Sequence, residues 1–142
     1  MVSAPATARR FLCALLLSAG ALWSAPAWAD PCEAPLPAQG TTFSGVVRYV
    51  GDGDGLCIGP QGQPLRWIEI RLADYYAPEL HEPGGADAKR RLERLVMGRP
   101  LVCRAGRRSY DRVVSHCTLG GVPLGRLLRA QGGTQGGRGW RP

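Results

Sequence analysis

Lysine is nearly missing from this sequence: Lys89 stands alone, and the other seventeen basic side chains are arginine. Arginine suits planar, bidentate recognition of phosphate and carboxylate, although high genomic GC content produces the same bias. Histidine is scarce, with only His81 and His116, and no Cys-x-x-Cys pair occurs. Zinc remains a competing reading of the cysteines, but its usual ligand spacing is absent. Long apolar runs are scarce too. The one run, residues 11–23, is too short for a bilayer crossing, which takes about 20 residues, and no later stretch approaches it. There is no internal repeat, and 142 residues argue for one domain rather than two.

What is present begins with an export pattern. Arg9 and Arg10 precede the apolar run, and Pro26-Ala27-Trp28-Ala29 follows it. A short basic region, an apolar stretch and small residues at Ala27 and Ala29 read as a secretory signal peptide over residues 1–29, cleaved after Ala29. The formal charge of +7 then becomes +5 on a mature chain of residues 30–142, expected to be periplasmic or secreted. Cys13 leaves with the signal, and Cys32, Cys57, Cys103 and Cys117 remain. An even number in a small exported domain suggests two disulfides, which help a core of this size. Cys103 and Cys117 lie on candidate strands whose midpoint falls at Tyr110, so a hairpin would set them opposite each other. Cys32 is then left for Cys57, tying the N-terminal leader to the rest.

Residues 30–41 are proline-bearing, show little periodicity and form that leader. A strand is expected over 42–50, ending at the tight turn Gly51-Asp52-Gly53-Asp54-Gly55. A short strand over 56–58 follows. Residues 65–72 alternate, with Ile68, Ile70 and Leu72 on one side and Trp67, Glu69 and Arg71 on the other, the period of a half-buried strand. Residues 86–97 read as a helix with Ala88, Leu92, Leu95 and Val96 on one face, stopped by Gly98 and Pro100. Two further strands, 101–105 and 112–119, flank the basic tip Gly106-Arg107-Arg108-Ser109. A second helix is expected over 122–130, and a Gly-rich tail, 132–142, is expected to be flexible. The fold class is mainly β with helices (α+β). Five strands, a helix between the third and fourth and a second helix after the fifth match a five-stranded OB-fold barrel, an arrangement that often binds oligonucleotides.

Three clusters carry candidate chemistry. Asp52-Gly53-Asp54 puts two carboxylates on a glycine turn, an oxygen-rich setting that calcium accepts and that is, taken alone, an ordinary solvated turn. Arg71 through Glu79 places a cation at a strand end and a carboxylate just beyond it. Tyr110-Asp111-Arg112 sits at a hairpin tip, where charge is usually just solvated. Together and in this order they resemble the thermonuclease family, the staphylococcal-nuclease-like (SNase-like) domains, over residues 43–131. That family has a DGD turn after its first strand, an R-L-x-x-x-D-x-P-E segment ending its third, and a Y-x-R motif on the hairpin after the helix.

The resemblance implies an exported nuclease that hydrolyses phosphodiester bonds of DNA or RNA with calcium and leaves 3′-phosphate ends. It implies Glu79 as general base or water orienter, and Arg71 and Arg112 as the guanidiniums on the phosphate. It implies Asp54 as a calcium ligand, with Asp52, Asp74 and the Ala77 backbone as further candidates, and Tyr110 as a phosphate contact. Apart from the resemblance, Arg107 and Arg108 read equally as guides of nucleic acid to Arg112 and as a solvated tip. A monomer is expected. Preorganised cations aimed at developing phosphate charge are worth several kcal/mol, and a positioned base about 10²–10⁴-fold in rate.

The sequence departs from the family in the metal site. Tyr76 stands where the second metal carboxylate belongs, and a neutral phenol is a poor calcium ligand. Ala77 and Gly55 replace threonines that are frequent there, and the long third helix of the best-known members is missing. Two other functions therefore compete: an OB-fold protein of the cell envelope that binds nucleic acid with impaired catalysis, and a partner-binding envelope protein that keeps only the fold. His81 and His116 read as surface residues. Trp67 and Tyr49 read as packing on the barrel rather than stacking on bases.

Overall fold

The structure, a computed structural model, describes residues 30–142 and Met1; the expected signal peptide lies outside the described residues. The alternation at residues 68–72 forms β3 (Ile68–Leu72), with Ile70 and Leu72 buried on its inner face. Before it come β1 (Thr42–Val50) and β2 (Gly55–Ile58), joined by the Asp-Gly-Asp turn. After it come α1 (Gly85–Val96), β4 (Pro100–Ser109), β5 (Arg112–Leu119), the two-residue β6 (Val122–Pro123) and α2 (Leu124–Ala130). The class is thus mainly β with two helices, one of them between the third and fourth strands.

The strands form one sheet in the order β3-β2-β1-β4-β5-β6. β3 also pairs with β5, in parallel, with Ile70 opposite Val113, Arg71 opposite Val114 and Leu72 opposite Ser115. That pairing turns the first five strands into a ring of otherwise antiparallel neighbours. The inner faces supply the core, where Val47, Leu56, Ile70 and Leu101 are fully buried. The expected face of α1 is buried through Ala88, Leu92, Leu95 and Val96, and α2 adds Leu124 and Leu128. Each such aliphatic side chain contributes about 1.5–3 kcal/mol.

Three element boundaries differ from the sequence reading, each for a local reason. Pro64 starts a short 3-10 turn, Pro64–Arg66, so the third strand begins only at Ile68. The fourth strand continues to Ser109, because one extra residue near Gly106 is absorbed as a bulge between Ala105 and Arg108. Pro123 has no N–H to donate, and Val122–Pro123 pairs with β5, so the second helix starts at Leu124.

Both expected disulfides are present. Cys103 and Cys117 are register partners on β4 and β5, with Cα atoms 4.1 Å apart. Cys32 is bonded to Cys57 on β2 across 6.0 Å, and amides of Glu33 and Ala34 donate to the carbonyls of Pro64 and Trp67. Two disulfides suit an oxidising compartment. Among the described residues no helix is long and apolar enough to cross a membrane.

Candidate functional site

The Asp-Gly-Asp turn is held from both sides. A Cβ on Gly53 would lie 2.4 Å from the Cβ of Ala77 and 2.5 Å from that of Ala88, so only glycine lets α1 and the 77 segment close onto the turn. A Cβ on Gly55 would lie 2.8 Å from Asp52 Oδ1. Glycine at this position therefore makes room for the Asp52 carboxylate, which also accepts from the Asp54 amide at 3.0 Å. Asp54 is buried. Its Oδ2 accepts from the Ala77 amide at 3.0 Å and from Arg71 Nη2 at 3.3 Å. Burial first, then the neighbouring Asp52, pushes the Asp54 carboxyl up to about 7, against the pull of the Ala77 amide and the Arg71 cation.

The parallel β3–β5 pairing decides where the cations go. Arg71 is opposite Val114, and Arg112 lies two residues back along β5, on the same outer face. Arg71 and Arg112 therefore reach one cavity of about 350 Å³, which also takes Arg107, Tyr76 and Tyr110 as lining. Among the described residues no carboxylate lines it. Arg112 Nε is buried without a hydrogen-bond partner. Tyr110 is 86 % exposed at the tip of the β4–β5 hairpin, with φ at 57°, the left-handed region that a bulky side chain rarely adopts.

The bulge splits the two tip arginines. Arg107 joins Arg71, whereas Arg108 lines a different cavity with Leu36, Pro37 and Val113, so only Arg107 is placed to meet the same ligand as Arg112. Glu79 also stands apart. It is half-buried in the loop before α1, its amide donating to Glu82 at 2.8 Å, and it is not part of the arginine cavity's lining. Between them, segment 75–78 is covered by the C-terminal tail, which is in contact rather than free. The Gly136 amide donates to the Tyr76 carbonyl at 3.0 Å, and Arg71 Nη2 donates to the Arg138 carbonyl at 3.0 Å.

Calcium would find the carboxylates of Asp52 and Asp54 on one turn, but little else. Asp74 is engaged through one oxygen only: its Oδ2 accepts from the Gly125 amide at 3.2 Å at the start of α2 and its carbonyl accepts from Arg129, while its Oδ1 is buried without a partner. The Ala77 carbonyl faces Gly137, where a Cβ would lie 2.2 Å away. Tyr76 offers its ring to the Arg71 guanidinium at 5.9 Å instead of a carboxylate to a metal. Two carboxylates fit a weak site whose remaining oxygens, out of six to eight, come from water or substrate. Among the described residues the one compact group of metal-type side chains is Asp30 with Cys32 and Cys57, and those sulfurs are bonded to each other.

Glu69 went unread in the sequence although the alternation had already set it beside Arg71. It is 9 % exposed, and its Oε2 is buried without a partner. A second cavity of about 350 Å³ is lined by Glu69, Asp30, Asp52, Tyr49, Lys89 and, again, Arg112. Burial, then a hydrogen bond and charge repulsion from Asp30, pushes the Glu69 carboxyl up to about 8, partly opposed by Arg112. Arg112 thus stands between an acidic cavity and a cationic one. Trp67 Nε1 donates to the Pro60 carbonyl at 2.6 Å and packs as expected, and His81 and His116 are exposed. Compared with known proteins, the chain matches no protein-family model and no curated protein.

Proposed function

We propose that the protein is an exported phosphodiesterase acting on DNA or RNA, with a thermonuclease-like, OB-fold arrangement of its site. The observation that carries this reading is the convergence of Arg71 and Arg112 on one cavity without a carboxylate in its lining. Planar guanidiniums there would hold two oxygens of a phosphodiester and gain strength as charge develops on them. Asp54, one hydrogen bond behind Arg71, fixes that guanidinium's direction. Glu79, from the loop beside the arginine cavity, would take the proton of the attacking water as its oxygen bonds to phosphorus, and the P–O5′ bond would break with the 5′ oxygen taking a proton from solvent, leaving a 3′-phosphate. Calcium, held by Asp52 and Asp54 when bound, supplies Lewis-acid stabilisation. The two disulfides and the reading of residues 1–29 as a signal support a periplasmic or secreted location.

Digestion of single-stranded DNA and RNA, with calcium and with chelator, tests the reading. Cleavage by the parent chain and a loss of about 100-fold or more in Glu79→Gln support it. Equal rates for the two chains remove Glu79 from the mechanism. A second reading, nucleic-acid binding without turnover, is favoured by Tyr76 in place of a carboxylate and by the Arg71 hydrogen bond already given to Arg138. Salt-dependent binding with no cleavage would select it.

A further inference from the structure

The tail after α2 lies in a defined register along segment 75–78. Two of its glycines, Gly133 and Gly137, fall where a side chain would collide, and Gly139 fits tightly. A Cβ on Gly133 would lie 2.2 Å from the Tyr75 hydroxyl, one on Gly137 2.2 Å from the Ala77 carbonyl, and one on Gly139 3.2 Å from the Tyr76 ring. Gly137 and Gly139 also have φ of 77° and 88°, which glycine adopts without cost. Hydrogen bonds fix the same register: the Tyr75 hydroxyl donates to the Thr134 carbonyl at 3.4 Å, the Gly136 amide to the Tyr76 carbonyl at 3.0 Å and Arg71 to the Arg138 carbonyl at 3.0 Å. A run of glycine that looks merely flexible is shaped to this groove.

That register carries Arg138 and Arg141 to the wall of the arginine cavity. Five arginines then line about 350 Å³: Arg71, Arg107, Arg112, Arg138 and Arg141. Like charges at this density repel one another, and an anionic occupant relieves them. Asp54 is already paired with Arg71, and one diester phosphate carries a single negative charge, too little for the other four cations. Successive phosphates of a strand meet the demand, and the rings of Tyr76 and Tyr110 on the same wall offer stacking surfaces between them.

We propose that residues 132–142 are a built part of this site, with Arg138 and Arg141 as substrate-binding residues that hold a phosphate next to the one at Arg71 and Arg112. The assignment rests on the nucleic-acid reading above and extends it to a segment outside the resemblance. Because Arg71 gives one N–H to the Arg138 carbonyl, the tail shifts locally when a phosphate oxygen takes that donor.

Binding of a labelled single-stranded oligonucleotide to the full chain, in chelator and across a salt series, tests this. Each phosphate contact contributes about 0.7 to the slope of log affinity against log salt. Arg138→Ala with Arg141→Ala removes one phosphate contact and is expected to lower the slope by about 0.7 and to weaken binding roughly tenfold at low salt. Arg94→Ala with Arg104→Ala, exposed and outside the cavity, removes the same charge as a control. Equal losses from the two pairs, or none from the tail pair, overturn the proposal. NMR of arginine Nε–Hε signals with inorganic pyrophosphate separates it from the parent reading. Shifts at Arg71, Arg112, Arg138 and Arg141 without oligonucleotide binding keep the tail in the site and reject the nucleic-acid substrate. Shifts at Arg71 and Arg112 alone reject the tail. Binding of neither probe rejects both.

Discussion

Arg71 Nη2 lies 3.3 Å from Asp54 Oδ2, in a pair whose side chains are only 12 % and 4 % exposed. The pair aims a cation at the cavity, yet the carboxylate is uncomfortable. Its carboxyl is raised from an ordinary 3.8 to about 7, chiefly by burial. Between about pH 4 and pH 7 the folded chain therefore holds a proton there that the unfolded chain has released. This contribution to stability is fully present below about pH 4 and is lost as pH rises through 7.

Asp54→Asn removes the titration and keeps an acceptor for the Ala77 amide. In chelator, its Tm is expected to gain on the parent's between pH 4 and 7 and then to run parallel, with a gain of several degrees at pH 8. Activity falls, since Arg71 loses its ionic anchor. Parallel Tm curves throughout would mean that Asp54 does not titrate as its burial implies.

Tyr76→Asp places a third carboxylate on the segment whose Ala77 amide already touches Asp54. Calcium affinity follows ligand charge count, so calorimetric titration should show at least about tenfold tighter binding. The cation–π contact with Arg71 is lost in exchange, a cost of about 0.5–1 kcal/mol in stability. Unchanged calcium binding would remove the Asp52–Asp54 turn as the metal's seat.

Much of this was legible in the sequence because it is local. The period-2 run at residues 68–72, the α1 face ending at Gly98 and the hairpin centred on Tyr110 each follow from neighbours in the chain. Both disulfides follow from that hairpin. What was illegible depends on non-local closure. The resemblance implied that Arg71 and Arg112 meet on one phosphate, but the parallel β3–β5 pairing that brings them together is announced by no spacing. Glu69 is buried because the leader, held by Cys32–Cys57, brings Asp30 to its cavity, so an outward-facing position on β3 is not a solvated one. The tail read as flexible because glycine signals freedom, whereas here it also signals close approach to Tyr75, Tyr76 and Ala77.

The Cys103–Cys117 bridge joins opposite positions of β4 and β5, the pair that also carries Arg112. Replacing both with alanine should cost about 2–4 kcal/mol, read as a lower urea midpoint at unchanged slope. Arg112 keeps its place through the β3–β5 pairing, so phosphate affinity below the unfolding transition should change less than twofold. A large loss of affinity in the folded variant would show that the bridge, and not the ring closure, positions Arg112.

Glu69 makes the last claim on Arg112. Its carboxyl, raised to about 8 by burial and by Asp30, is mostly protonated at neutral pH and leaves Arg112 free for the cationic cavity. Stability from this group is complete below about pH 4.5 and declines as pH rises through 8. Above pH 8 the ionised carboxylate competes with a bound phosphate for the same guanidinium. Pyrophosphate or oligonucleotide affinity should therefore fall several-fold between pH 7 and 9 in the parent chain. Glu69→Gln is expected to flatten both curves, keeping the neutral pH affinity through pH 9 and gaining stability relative to the parent above pH 5. Asp54→Asn, whose titration ends near 7, should leave the fall in affinity above pH 8 in place. If Glu69→Gln retains the parent's alkaline loss, the two cavities do not share Arg112 energetically, and the carboxylate's burial serves packing alone.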